Sequence, residues 1–282
     1  MAEIRGINCG VWYVDGENGD DGNDGDNPTS GTTGAWQTIQ YAFDKIADAT
    51  IDDGDEIRIM KTSDDATHYA ISTALNPDWD LKEITITGAN ASGVVDNTVV
   101  ILTATSSISA ILDIEATECE RMVWAHIHFD GNDTATNCVN SSNNNHYQNY
   151  LNCRFSNATS HGLYMLSNYW HIINCRFDNN GGDGARMDGA SYTLFYKCLF
   201  DNNTDAGVDT GTENAFRHKW IECVFYNNGK EGFDCSGAGS VIANCIFDNN
   251  GEEGLKDKGS TIQTFRVGNI YSNNGQAGVN YY

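Results

Sequence analysis

Asn174-Cys175-Arg176-Phe177-Asp178-Asn179-Asn180 returns as Lys197-Cys198-Leu199-Phe200-Asp201-Asn202-Asn203 and again as Asn244-Cys245-Ile246-Phe247-Asp248-Asn249-Asn250. Each aromatic is followed seven residues later by a glycine: Phe155/Gly162, Phe177/Gly184, Phe200/Gly207, Phe225/Gly232, Phe247/Gly254 and Tyr271/Gly278. The return from glycine to the next aromatic varies, at 15, 16, 18, 15 and 17 residues. A unit of 22 to 25 residues with one rigid and one elastic arc therefore recurs through the second half of the chain, and a period of that length marks a solenoid.

The residues within the unit specify the kind of solenoid. Cys153, Cys175, Cys198, Cys223 and Cys245 share one position. Leu151, Ile173, Tyr196, Ile221 and Ala243 stand two residues before it and the aromatics two after, so period-two alternation predicts three inward rows. Asn157, Asn179, Asn202, Asn227, Asn249 and Asn273 follow. Asparagine tolerates left-handed backbone and bonds its own chain, so these residues predict corners. After each glycine comes a second strand with Leu163, Ala185, Val208, Phe233, Leu255 or Val279 inward. No helical period intervenes. Two or three short strands with asparagine corners in two dozen residues describe one coil of an all-β, single-chain parallel β-helix. A leucine-rich repeat lacks its leucine skeleton here, and the nine-residue period of a calcium β-roll is missing.

Composition agrees with one elongated body. The chain has 282 residues, 40% of them hydrophobic, and only two prolines, with no linker-like stretch to divide it. A net charge of −23 argues against nucleic acid and anionic membranes as partners and favours neutral or cationic ligands. Met1 to Arg5 opens no apolar signal segment, and no run of 18 apolar residues exists, so neither classical secretion nor membrane insertion is expected. The five cysteines of the row should be free thiols, because parallel side chains one rung apart are too distant to be bridged. That usage suits assembly in a reducing cytoplasm. Cys9, Cys119, Cys138 and Cys235 lack zinc-site spacing.

Residues 1–53 differ in kind. Val11 to Asp15 reads as a strand, Asp15 to Asn27 as a loop of Asp, Gly and Asn, and Trp36 to Ala47 as a helix. Ile39, Ala42, Phe43 and Ile46 line one helical face, which fits an N-terminal cap over the open end of the solenoid. Gly54 to Met60 then forms the first rung strand, and residues 54–282 the coils. Between residues 60 and 125 the repeat cannot be phased.

Tyr13-Val14-Asp15, Gly19-Asp20, Asn23-Asp24-Gly25, Pro28, Thr38-Ile39-Gln40-Tyr41-Ala42 and Gly54-Asp55, together with the Asn-Cys-x-Phe-x-Asn-Asn units, resemble pectate-lyase-like right-handed parallel β-helix proteins. That superfamily contains polysaccharide lyases and hydrolases as well as bacteriophage tailspikes, fibres and other virion appendages. The resemblance implies the right-handed fold. The short leaderless chain with its immediate cap tilts the reading towards a phage virion structural protein, made in the host cytoplasm, trimeric, attached to other virion proteins and touching host surface glycans.

Several constellations bear on chemistry. Two residues after the repeat glycine, Tyr164, Arg186, Asp209, Asp234 and Lys256 occupy one outward position. Asp209 and Asp234 are expected on neighbouring rungs about 5 Å apart, near the separation of a retaining glycosidase pair, with Arg186 and Lys256 as flanking cations for a sugar. The simpler reading is a charge-compensated ladder on a solvated face. Tyr164, Tyr169, Trp170 and Trp220 are the aromatics suited to sugar contact. Asp20, Asn23, Asp24 and Asp26 offer hard oxygen ligands for Ca²⁺, against a loop held by its own Asx turns; no cofactor is required. His126 and His128 alternate along one predicted strand, a two-ligand metal pair lacking a third. No nucleophile elbow, phosphate loop or Cys/His dyad is present. Between the Cys and aromatic rows the outward position is Arg154 and Arg176, then Leu199, Val224, Ile246 and Ile270, an aliphatic ridge that predicts an interface. The close at Tyr281-Tyr282, partway through a coil, points the same way. Three roles follow in order: a trimeric virion appendage, a polysaccharide-degrading enzyme using Asp209 and Asp234, and a non-catalytic carbohydrate-binding or adhesion module on a bacterial surface.

Overall fold

The computed structural model describes residues 9–29, 33–48, 50–65, 68–77, 82–114, 121–141, 146–211, 217–236, 239–258, 264–276 and 278–281, the last three of these in backbone only. Cys119, the side chain of Tyr281, and Tyr282 lie outside them.

One coil shows how the sequence becomes the fold. Asn149–Leu151, Arg154–Ser156 and Leu163–Met165 are three-residue strands, and each pairs in parallel with its equivalent one coil before and after. Repetition builds three parallel sheets of ten, nine and eight strands. The first runs from Val11–Val14 to Phe265–Val267, the second from Tyr69–Ile71 to Ile270–Ser272, and the third from Ile108–Ile114 to Val279–Tyr281. The unphased region resolves into the same pattern, with Thr85–Ala89 in the first sheet and Val100–Ala104 in the second.

The aromatic row is the spine of the core. Phe155, Phe177, Phe200, Phe225, Phe247 and Tyr271 are successive register partners, and from Phe155 to Tyr271 the rings stack face to face at 4.7 to 5.0 Å between centroids. Each buried phenylalanine contributes about 1.5–3 kcal/mol by leaving water, and each stacked pair about 0.5–1.5 kcal/mol more. The cysteine row is buried beside it as free thiols, and burial raises Cys175 and Cys223 well above the ordinary thiol range. The glycine row is steric: a Cβ at Gly207 would sit 2.5 Å from the Gly232 carbonyl oxygen of the next coil. The corner asparagines Asn157, Asn179, Asn202, Asn227, Asn249 and Asn273 all adopt left-handed backbone, φ 51° to 58°.

Two expectations are corrected. The row two residues before the cysteines is only half-buried at Leu151, Ile173, Tyr196, Ile221 and Ala243. The inward residues are Tyr150, Ile172, Phe195, Trp220 and Ile242. The cause is a left-handed residue, Asn152, Asn174, Lys197, Glu222 or Asn244, between strand and cysteine, which bends the chain and shifts the alternation by one. The same corner separates His126, φ 56°, from the strand Ile127–Asp130, so His126 and His128 do not share a strand. His128 is buried against the Ser156 hydroxyl at 2.7 Å, and its pKa is lowered to about 4, first by burial and then by Arg154.

Beside every corner from Asn179 onward a second asparagine turns inward. Asn180, Asn203, Asn228, Asn250 and Asn274 form a ladder in which the Nδ2 of each of the first four donates to the next Oδ1 at 2.9 Å. Asn180, Asn203, Asn228 and Asn250 are buried, and such networks are tolerated inside a core because their donors and acceptors are matched.

The helix spans Ile39–Ala47, three residues shorter than its pattern. Trp36 instead bridges Val14, and Thr38 is the N-cap, its Oγ1 accepting from the Tyr41 amide at 3.2 Å. Asp21 braces this start by accepting from the Gln37 and Thr38 amides at 2.8 and 2.9 Å. Ile39, Ala42, Phe43 and Ile46 are buried, and Phe43 meets Trp124 edge-on at 6.0 Å. The buried apolar residues form one cluster from Val14 to Leu255. Among the described residues no helix is long and apolar enough to cross a membrane.

Candidate ligand-binding face

Short strands of the third sheet, Leu163–Met165, Ala185–Met187, Val208–Asp209, Phe233–Cys235 and Leu255–Asp257, carry the charged row. Their first residues point into the core, so the second face out. Tyr164, Arg186, Asp209, Asp234 and Lys256 are register partners in that order, as the spacing predicts. Only Asp234 among them is buried.

Arg186 organises the upper half. Its Nη1 donates to Asp209 Oδ2 and its Nε to Asp188 Oδ1 at 2.9 Å, while Asp183 Oδ2 lies 3.7 Å from Nη1. The Tyr164 hydroxyl donates to Asp188 Oδ2 at 3.2 Å. In the lower half Lys258 Nζ stands 2.8 Å and Lys256 Nζ 3.7 Å from Asp234 Oδ2, and Lys256 also donates to Glu231 Oε1. Asp209 and Asp234 are thus adjacent, each engaged by its own cation. Burial raises the Asp234 carboxyl above its ordinary range, and the Asp209 charge adds to this against Lys258.

A second row, absent from the sequence reading, lies one residue before the repeat glycines. His161, Asp183, Ala206, Glu231 and Glu253 occupy it, and all but His161 are buried. The His161 Nδ1 accepts from the Asp183 amide at 3.1 Å, which places the proton of the neutral ring on Nε2; burial, then Arg186, lowers its pKa. Asp183 accepts from the Ala206 amide at 3.0 Å. Burial, followed by the Asp209 charge, pushes its carboxyl up to about 7. A carboxyl that retains its proton near neutrality beside a salt-bridged carboxylate is an arrangement suited to general acid–base work. Alignment of the repeat one position earlier than the glycine would have exposed this row.

Other sequence-predicted residues are placed as follows. Trp170 and Trp220 are wholly buried and cannot meet a sugar: Trp220 falls on an inward position of the first sheet, and Trp170 is turned inward between the left-handed corner at Tyr169 and the strand His171–Ile173. Asp20 closes an Asx turn onto the Gly22 amide at 2.8 Å. Asn23 turns its amide to the Ala35 carbonyl at 3.0 Å and offers its own carbonyl to Trp36 Nε1 at 2.9 Å. Among the described residues, Asp20, Asp24 and Asp26 do not form a group with three carboxylate oxygens within 4.8 Å of one another. Among the described residues the acidic group that does converge is Glu231, Glu252 and Glu253, with oxygens within 4.8 Å of one another, and Lys256 meets its charge. On the second sheet Arg154, Arg176, Leu199, Val224, Ile246 and Ile270 stack in register. Leu199 and Val224 are half-buried, whereas Ile246 and Ile270 are 37% and 58% exposed. The arginines above them are bidentate to Asp178 and Asp201 at 2.5 to 2.9 Å.

Comparison with known proteins concerns the fold. The A-module of the mannuronan C-5 epimerase AlgE4 of Azotobacter vinelandii aligns at TM-score 0.62 and 13% identity, covering 95% of this chain and 81% of its own. A rhamnogalacturonan lyase aligns at 0.58 and 14%, covering 88% and 70%. The Dettilon tailspike protein gp208 aligns at 0.58 and 13%, covering 92% of this chain and 50% of its own. Curated protein sequences yield no match. At such identities the likenesses show the fold alone, a right-handed parallel β-helix that these carbohydrate-active enzymes and a phage tailspike share. The sequence pattern of the family described as "Right handed beta helix region" matches residues 114–261, more than half of the chain, and the protein belongs to that family.

Proposed function

We propose that this chain is the β-helical body of a phage virion appendage, tailspike-like in construction, which assembles as a homotrimer and meets host surface glycans. The observation that carries the reading is the second-sheet ridge, where Leu199, Val224, Ile246 and Ile270 stack on successive rungs and the last two stand in solvent. Contiguous exposed aliphatics on an otherwise charged solenoid support self-association. In this reading the helix Ile39–Ala47 closes one end of the solenoid, and residues 1–53 and 54–282 form one continuous body. Light scattering coupled to size exclusion tests it. The wild type is expected as a trimer and the Ile246→Glu/Ile270→Glu variant as a folded monomer; a monomeric wild type refutes the assembly.

A second reading, cleavage of a polysaccharide, is favoured by one specific observation: Asp183 is buried with its Oδ2 3.7 Å from Arg186 Nη1, where burial and the Asp209 charge push its carboxyl up to about 7. Asp183 would donate the proton and Asp209 supply the negative charge. Viscometry on bacterial surface polysaccharides tests it, with Asp183→Asn and Asp209→Asn expected to abolish any activity of the wild type. Activity that survives both substitutions excludes these residues.

A further inference from the structure

On the corner leading into the first sheet, successive coils place Arg121, Tyr147, Tyr169, Tyr192 and Arg217, all left-handed with φ between 58° and 64°. The three tyrosine rings stack at 5.0 Å, tilted by only 10° and 15°. Arg217 covers the lower ring at 5.6 Å and donates to the Tyr192 hydroxyl at 3.2 Å. At the upper end Arg121 meets Glu83 at 3.2 Å. Tyr147, Tyr169 and Tyr192 are nonetheless 43%, 39% and 41% exposed.

Backbone stability alone does not select this row. Left-handed φ costs a bulky L-residue about 1 kcal/mol or more, and at most other corners of these coils the chain uses asparagine. Tyrosines on three successive coils accept that cost while staying about two-fifths exposed. Mutual stacking returns part of it. Strain retained at an exposed aromatic row is the kind of outlier from which a binding role is argued.

A groove of about 420 Å³ runs beside the ladder, lined by Glu83, Arg121, Tyr147, Asn149, Tyr169 and His171 among others. The Arg121–Glu83 pair cancels its formal charge, and the remaining lining combines two tyrosine rings and the aliphatic Ile84 and Val123 with the hydrogen-bonding groups of Thr85, Asn149 and His171. We infer that the tyrosine ladder and this groove form a binding strip for a neutral oligosaccharide chain laid parallel to the solenoid axis. Ring edges offer apolar surface to sugar C–H groups, and tyrosine hydroxyls, Asn149 and His171 offer partners to sugar hydroxyls. The net charge of −23 disfavours a polyanion. The strip is separate from the charged row of the third sheet, and it rests only on the glycan-contact part of the proposed function.

Affinity electrophoresis in native gels containing dextran, galactomannan, laminarin or xylan tests the strip. The decisive variant is Tyr147→Asn/Tyr169→Asn/Tyr192→Asn, because asparagine accepts the left-handed corner and its thermal midpoint should be unchanged or higher. Tyr226→Asn, which removes an exposed aromatic elsewhere, is the control. Retardation of the wild type by at least one polymer is expected, weakened about tenfold or more in the triple variant and unchanged in the control. Wild-type retardation that survives the triple substitution overturns the strip while leaving glycan contact in place. Retardation only by alginate or polygalacturonate overturns the neutral class, and retardation by no polymer overturns glycan contact and the strip together. Loss of self-association in the triple variant would mark the strip as a protein interface and overturn it too.

Discussion

Replacing Asp183 by asparagine removes one titration from the protein, and its sign and size follow from the site. The carboxyl titrates at about 7 in the folded chain against an ordinary value of 3.8, so between these pH values the folded state binds more protons than the unfolded state. Stability attributable to Asp183 is therefore fully present below about pH 4 and is lost as pH rises to about 7. A tenfold change in proton affinity corresponds to about 1.4 kcal/mol, and the roughly thousandfold difference between the two states sets a loss of about 4 kcal/mol across the window. Asparagine keeps the acceptor that receives the Ala206 amide but cannot ionise. Urea unfolding between pH 4 and pH 8 should show the variant gaining on the wild type as pH rises, with the difference levelling off above pH 7. A difference that stays flat across the range would refute the assignment and would show that Asp183 is held ionised beside Arg186 instead of neutralised by burial, because a depressed carboxyl changes its contribution only below about pH 4.

Other substitutions test the stacks that hold the fold. Asn203→Ala removes the acceptor for the Asn180 side chain and the donor to Phe177 O and Asn228 Oδ1; it should cost on the order of 2–4 kcal/mol in equilibrium unfolding. Phe200→Ala opens a cavity between rings stacked at 4.7 and 5.0 Å and should cost about 3–5 kcal/mol by the same measurement. Gly207→Ala drives a Cβ to 2.5 Å from a backbone carbonyl, so a loss of about 1–3 kcal/mol is expected, whereas neutrality would mean that the coils can separate locally. Lys197→Asn, at a left-handed corner with φ 56°, should leave the thermal midpoint unchanged or raise it.

The virion and enzyme readings make different demands on the same residues. Self-association requires Ile246 and Ile270 and is indifferent to Asp183, whereas cleavage requires Asp183 and Asp209 and is indifferent to the ridge. Placing a charge on the ridge and neutralising the carboxyl in separate variants therefore assigns the two surfaces independently.

The invariant seven-residue interval from aromatic to glycine was sufficient to read a parallel solenoid, its asparagine corners and the vertical neighbours Asp209 and Asp234, because in a coil that repeats, sequence position translates directly into height and direction. The helix face of Ile39, Ala42, Phe43 and Ile46 was legible for a similar reason: local periodicity determines it. What the pattern concealed came from single residues whose backbone departs from a strand. One left-handed residue before each cysteine reverses the alternation, so Trp220 enters the core while Ile221 does not, and His126 leaves the strand that holds His128. The raised Asp183 carboxyl and the tyrosine ladder depend on what surrounds them across coils, including burial, the charge of Asp209 and the spacing of adjacent rungs. Such quantities are set by neighbours some two dozen residues away along the chain, so only the assembled coils decide them.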